Sequence, residues 1–383
     1  MKLFIELYQL QHMFGCPCRD DTNQIKTVMY GNAKRARWSS QSEKYAANSH
    51  IFENNLLTED LKSERTRQIE SMVTTELLTY NKQQEEAVLV AHAACSVIVN
   101  VKGAGGYLLF VSRAGVVNLT NACLDHWDSL LLLGKELQGE ETEKKKSKKE
   151  LKAIVTAFSK DNLKFVKLAK GLYATGNAPS IWMLGRMVAD KPEFSVESAL
   201  QQSHAFTTNQ IQRETDFYVA MDTVLKQAGM MDHQSFASGC YYKYSCIDMG
   251  TLLNNSGGLF DLSKRTALAY VEALIKGMPS AKRNSFANSN LPDFVMVILR
   301  NKGCNVNLSN AFIVPVKGTD LVSDSLKRLS EYWNKMQGCY PDDFNVPAFY
   351  YSTIDGANSK WNNVESLNNL LLQVGNAIDA LKE

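Results

Sequence analysis

Residues 19–44, RDDTNQIKTVMYGNAKRARWSSQSEK, gather side chains that hold phosphate. Between Lys26 and Lys44 five basic residues (Lys26, Lys34, Arg35, Arg37 and Lys44) meet one acid, Glu43. Lysine and arginine neutralise phosphates, while serine and glutamine (Ser39, Ser40, Gln41, Ser42) bond phosphate or sugar without reading a base. Ser40-Gln41-Ser42-Glu43 fits the capping-box pattern with Ser40 as N-cap, so a helix is expected to start there. The free N–H groups of its first turn also favour anions. Such a set would grip a nucleic-acid backbone of any sequence. The alternative is a solvated basic face without a ligand, to which charge alone gives equal weight. Asp20-Asp21 is the acidic pair beside this stripe. It suits an acid or a metal ligand, although pairing with Arg19 or with a neighbouring subunit's basic residues is the stronger reading.

Signatures of catalysis are missing from the sequence. No glycine-rich loop ends in Lys-Ser/Thr, and Gly103-Ala104-Gly105-Gly106 after Lys102 has the wrong spacing and reads as a flexible turn. The six histidines are dispersed, without an i, i+4 pair, and no Gly-x-Ser-x-Gly elbow occurs. Of eight cysteines only Cys16 and Cys18 lie close, with no second pair to complete a zinc site. The expectation is therefore no cofactor, no metal, no enzyme activity, and free thiols in a reducing cytoplasm. No apolar run approaches the roughly 18 residues of a membrane span. The start, MKLFIELYQLQHM, alternates and reads as a strand and not as a signal peptide. A net charge of +2 makes the basic stripe a local electrostatic footprint in a neutral protein.

The elements that must carry these residues follow from periodicity. Leu3, Ile5 and Leu7 predict a first strand. Gly31-Asn32 predicts a turn between strand-like residues 25–30 and 33–38. Residues 51–175 read as a largely helical insertion: helix-forming sequence over 57–96, a β-branched patch over 97–111, helices near 122–137 and 151–172, and the charged tract EETEKKKSKKE over 140–150 as an exposed tip or linker. Residues 181–188 read as strand-like and 195–203 as a short helix. Residues 206–224 and 236–247 read as strands joined by the polar, methionine-rich excursion 226–234, in outline a projecting hairpin. A helix over 263–276, a buried strand over 294–299 (FVMVIL), a short strand over 348–352 and amphipathic helices over 323–336 and 364–381 complete an α+β chain. Its 383 residues are long for one core, so an interrupted domain is expected.

Residues 19–44 also resemble the signature of the CasC family, the backbone subunit of the type I-E CRISPR Cascade complex: Arg-Asp-Asp-x-Asn, a lysine, a Gly-x-x-basic cluster, then Arg-x-Ser-Ser-Gln-Ser. Further matches follow in order: Gly185-Arg186-Met187; His204-Ala205-Phe206-Thr207-Thr208-Asn209-Gln210; Asp216-Phe217-Tyr218; Phe236-Ala237-Ser238-Gly239 with Tyr242 and Tyr244; and Pro279-Ser280-Ala281-Lys282-Arg283 before FVMV. The resemblance implies a modified RRM-like (ferredoxin-like) palm formed by residues 1–50 and 176–383, a helical fingers insertion over 51–175, and a thumb at about 207–240. It implies a non-catalytic subunit that polymerises along guide crRNA and presents bases for pairing with target DNA. The implied partners are the guide, target DNA through it, further copies of the chain, and large, small, capping and crRNA-processing subunits, with no membrane. Arg19, Lys26, Ser39, Gln41 and Lys44 would contact the guide backbone, with Lys34, Arg35, Arg37, Arg186, Lys282 and Arg283 as further basic contacts. Met187, Phe217 and Tyr218 would wedge beside a displaced base. Ala33 and Asn48 stand where the family often has basic residues, so one phosphate contact is expected to be missing or supplied from elsewhere. The type III relatives offer an alternative, a metal-dependent ribonuclease backbone using Asp20 or Asp21; a general single-stranded RNA-binding module is a third.

Overall fold

The computed structural model describes residues 2–16, 18–98, 108–138 and 147–382. The glycine turn 103–106 and most of the charged tract 140–150 lie outside them. Strands run in the order β1 (Phe4–Met13), β2 (Thr27–Tyr30), β3 (Ala33–Ala36), β4 (Ser63–Thr66), β5 (Leu109–Ser112), β6 (Leu200–Gln202), β7 (Phe206–Thr207), β8 (Glu214–Asp222), β9 (Gln227–Phe236), β10 (Gly239–Asp248), β11 (Phe294–Arg300), β12 (Ala348–Ser352) and β13 (Asn362–Asn363). The chain divides into two compact units.

The first unit comprises Met1–Leu57, Ala199–Leu252 and Phe260–Glu383. Its seven-stranded sheet has the order β13-β12-β11-β1-β10-β6, with β7 also on β10. β1 lies antiparallel between β10 and β11, and β10 is antiparallel to β6. β10 leads through the helix Phe260–Lys276 to β11, with β1 threaded between them. That is the split βαβ of a ferredoxin-like fold. The helix Ser40–Glu53 follows β1 and packs beside Phe260–Lys276. The α+β, RRM-like expectation is therefore met.

Alternation along β1 explains both layers. Tyr8 and Leu10 join Tyr242, Tyr244, Phe294, Met296 and Ile298 in a core with Leu326, Leu329 and Trp333 of the helix Leu321–Cys339. On the opposite face Gln9 Nε2 donates to Leu274 O at 3.1 Å, beneath the helix Phe260–Lys276. Cover on both sides is why every residue of β11 is buried and why FVMVIL is a continuous apolar run. Glu6, set in the same strand, is fully buried and accepts from Arg300 Nε at 2.6 Å.

β8 and β9 form a separate two-stranded hairpin with a bulge after Ala220. The expected excursion 226–234 is thus the hairpin's returning strand, and the expected strand pair 236–247 is one strand, β10. Polar and methionine residues obscured β9 because it buries almost nothing.

The second unit comprises Thr58–Ser198 with Leu253–Leu259. Helices Ile69–Leu78, Gln84–Ile98, Arg113–Asp125, Trp127–Gln138, Lys148–Asp161 and Leu163–Ala169 gather around an alanine-rich face, Ala87, Ala91, Ala93 and Ala94. Gly134 has no room for a side chain, since a Cβ there would lie 2.5 Å from Leu89 O; two helices meet backbone to backbone. β4 and β5 pair beside them. Residues 181–188 depart from the strand expectation: Pro179–Leu184 is a helix with proline in its first turn. Residues 200–202, expected as helix, form β6 on the sheet edge, where pairing with β10 outweighs local propensity. This unit reaches to Ser198 because Arg186 ties that segment into it (below).

Candidate nucleic-acid interface

The basic segment is pinned at its middle. Trp38 is fully buried against Tyr241, with ring centroids 4.9 Å apart, and its backbone N–H donates to Ala205 O at 2.8 Å. Arg37 N donates to Lys26 O at 2.9 Å and Lys26 N to Cys18 O at 3.0 Å, so the loop, the hairpin and the start of the helix Ser40–Glu53 lie side by side. β2 and β3 pair across Gly31-Asn32, the expected turn. A Cβ on Gly31 would collide with Ile313 O, so only glycine, here at φ +58°, fits.

Around that pin the side chains divide. Lys34 and Gln41 are exposed, and Lys26 and Arg37 are half-buried. Arg37 Nη1 lies 3.2 Å from His204 Nδ1, which also accepts from Ser40 N at 3.0 Å. Lys44 Nζ donates to Leu200 O at 2.9 Å and is half-buried. The N-cap is Ser39, not Ser40, and its hydroxyl donates to Gln41 Oε1 at 3.2 Å without capping the helix. Glu43 makes no capping box because it is buried; burial raises its carboxyl to about 7, against the pull of Lys243. Lys243, itself buried, has its ammonium pKa lowered by desolvation. The capping box that does form is Ser147 with Glu150, at the start of Lys148–Asp161. Asn48 accepts from Tyr270 OH at 2.8 Å, a packing bond inside the fold.

Two arginines from the expected set face inward. Arg35 is fully buried, with Nη1 donating to Thr207 O and Thr208 O at 2.8 and 2.6 Å, and Nη2 to Phe312 O and Ile313 O at 2.9 and 3.3 Å. In the second unit Arg186 is 5% exposed and donates to Tyr173 O at 2.7 Å, Phe110 O at 3.3 Å and Phe194 O at 3.0 Å. Carbonyl oxygens therefore take the terminal nitrogens of both guanidinium groups, and these residues hold loops where phosphate contacts were expected. Met187, beside Arg186, is 85% exposed.

Arg19 is half-buried, with Nη1 donating to Ser235 O at 2.6 Å. Asp20 does not pair with it. Asp20 Oδ1 accepts from Thr22 N, Thr22 Oγ1 and Gln24 N at 3.0, 2.8 and 2.8 Å. Those bonds, Gln24 N first, hold its carboxyl below the usual range. Sequence reading missed Arg213, whose Nη2 donates to Ser235 Oγ at 2.8 Å, and His204 as the group linking Arg37 to the helix start. Their proximity depends on strand register, and no local pattern announces it.

Phe217 and Tyr218 are exposed neighbours on β8, so they face opposite sides of the hairpin. Phe217 sits 5.2 Å from His233 with Val219 and Met231 on its side, while Tyr218 OH reaches Asp232 Oδ2 at 3.4 Å on the other. They cannot flank one base from the same face. Lys282 is half-buried at φ +59°, and Arg283 is exposed, with Nη2 3.4 Å from Met278 O.

Burial raises the Cys16 thiol to about 11 and also raises Cys18. Among the described residues no three His, Cys, Asp or Glu side chains cluster to hold a metal ion, and no helix is long and apolar enough to cross a membrane.

Compared with known proteins, the sequence matches the family described as CT1975-like protein over residues 5–372. Among solved structures, a chain titled "CRISPR RNA-guided surveillance complex, pre-nicking" aligns at TM-score 0.79 and 23% identity, covering 98% of this chain and 100% of that one. A second, titled "CRISPR RNA-guided surveillance complex", aligns at TM-score 0.67 and 20% identity over 99% and 98% of the two chains. No curated protein matches the sequence.

Proposed function

Because the chain belongs to the CT1975-like protein family, we propose that it is a crRNA-binding subunit of a Cascade-type CRISPR surveillance complex. The finer reading is the type I-E backbone subunit: copies stack along the guide, contact its phosphates, and leave its bases free to pair with target DNA. One observation carries this. The pinned segment around Trp38 leaves Lys34 and Gln41 exposed beside the half-buried Lys26 and Arg37, all groups that bond a sugar-phosphate backbone without base preference. The matched surveillance-complex chains share the fold that places it.

The subunit is proposed to be non-catalytic. Asp20, the candidate acid, spends one carboxylate oxygen on three hydrogen bonds that shape its own loop. The reading is tested by replacing Lys26 and Lys34 with alanine and titrating unrelated guide RNAs against salt in the assembled complex. Affinity should fall alike for all sequences, and the slope of log K against log salt should shrink by about 0.7 per lost contact. An unchanged affinity and slope would remove the assignment.

A further inference from the structure

His204 stands between two pinned residues. Ser203 donates to Tyr244 O from its N at 3.0 Å and from its hydroxyl at 3.1 Å, and Ala205 O accepts from Trp38 N at 2.8 Å. The His204 ring is exposed, but its backbone is fixed on both sides. From that post Nδ1 reaches two groups of the basic segment. Ser40 N donates to it at 3.0 Å, and Arg37 Nη1, 167 residues away in sequence, lies at 3.2 Å. A backbone N–H and a guanidinium can only donate. Nδ1 must therefore accept, so the ring that makes these bonds is neutral and carries its proton on Nε2. Trp38 O, 3.3 Å from the same nitrogen, is a second acceptor and takes no proton from the ring in this state.

The two bonds fix what the rest of the fold leaves loose. The backbone of Arg37 is already held, since its N donates to Lys26 O and it bridges Phe206 of β7. Its side chain is long and rich in rotamers, and His204 ties its far end. Among the described residues this is the guanidinium's one hydrogen bond, so Nε and Nη2 keep their donors for a phosphate. The bond from Ser40 anchors the first turn of the helix Ser40–Glu53, which carries the exposed Gln41. A side chain held before its ligand arrives loses less freedom on binding.

We propose that His204 is a positioning residue for guide RNA: its neutral ring holds the Arg37 guanidinium and the first turn of Ser40–Glu53 in place before phosphate arrives, and does not itself touch the RNA. The proposal rests on the RNA-binding reading above, with Arg37 as a phosphate contact.

The test titrates guide RNA against salt with the full chain in the assembled complex, comparing His204→Ala, His204→Asn, Arg37→Ala and the double alanine variant. His204→Ala should weaken binding by about 2- to 10-fold per bound copy, the range for one side chain that must now be ordered on binding. Its slope of log K against log salt should match wild type, because a neutral ring releases no counterion. Arg37→Ala should lower that slope by about 0.7. The double variant should bind within about two-fold of Arg37→Ala, since His204 acts through that arginine. In His204→Asn the amide oxygen can stand where Nδ1 stood and accept both donors, so most of the affinity should return. Wild-type affinity in His204→Ala, or no recovery in His204→Asn, would overturn the proposal. A reduced salt slope in His204→Ala, or losses that add in the double variant, would also overturn it, because the ring would then be meeting RNA directly. If Arg37→Ala keeps wild-type affinity and slope, the contact reading fails at Arg37 and the positioning role falls with it; if only Arg37→Ala shows a loss, the contact reading stands and the positioning role alone is lost.

Discussion

Replacing Arg35 separates a structural guanidinium from a phosphate-binding one. Arg35 lies in the middle of the basic segment, yet its two terminal nitrogens reach four carbonyl oxygens, three of them within 2.9 Å. They join β3 to residues 207–208 and 312–313. Arg35→Met keeps much of the volume and removes every donor. A carbonyl left buried without a partner costs about 1–3 kcal/mol, and charge-assisted bonds are the stronger kind. Loss of a desolvated charge offsets part of this, because burying a cation, which also lowers its pKa here, is itself unfavourable. The expected net loss is about 2–3 kcal/mol, the scale of buried acceptors left unpaired after that offset. Urea unfolding followed by tryptophan fluorescence measures it, with Arg35→Lys intermediate, because one ammonium cannot span two pairs of carbonyls. RNA affinity per folded molecule should fall less than in Lys34→Ala, because Arg35 acts by holding β3 in place and not by touching phosphate. A variant within about 0.5 kcal/mol of wild-type stability that nevertheless loses RNA binding would refute the argument, since the guanidinium would then serve phosphate.

Two other predictions concern the acids. Glu43, raised from 4.5 to about 7 by burial, keeps its proton in the folded chain at pH values where the unfolded chain has lost it. Stability should therefore fall as pH rises from about 4.5 through about 7, by on the order of 3 kcal/mol at most. Glu43→Gln should flatten that stretch of the profile, as read from urea midpoints at pH 5 and pH 8; a profile of unchanged slope would show that another group is responsible. Asp20→Ala should leave the cleavage behaviour of the assembled complex towards complementary RNA and magnesium unchanged. Regularly spaced cuts that vanish in this variant would favour the ribonuclease reading instead.

The fold was most legible where burial imposes a period. β1, β11 and the helices Phe260–Lys276 and Leu321–Cys339 each show an apolar face or a continuous apolar run, because packing on the sheet requires it. Legibility failed where the determining contact was remote. β6 exists because residues 200–202 pair with β10, more than forty residues away. Among the described strands β9 pairs only with β8, and its exposed methionines carry no core-facing pattern. The pair Ser40 and Glu43 matched a local motif, yet tertiary burial claimed Glu43 for the interior, and the helix took Ser39 as its N-cap.

The basic stripe fails in the same way, and its failure is informative about how such surfaces are built. Lys34 and Arg35 are adjacent and chemically alike, but a strand sends successive side chains to opposite faces. Lys34 is exposed, and Arg35 is buried among carbonyls from segments 172 and 277 residues away in sequence. Sequence reading counts both as phosphate ligands because it sees charge and not the oxygen atoms that a fold brings to it. The inward arginine is what fixes β3 against residues 207–208 and 312–313, and a fixed β3 is what keeps Lys34 and Arg37 at set positions. A phosphate-binding surface without base preference needs such internal cations as much as external ones. Contacts that follow a backbone must hold their spacing, and a mobile hairpin would give up in conformational entropy much of what each weak phosphate contact returns.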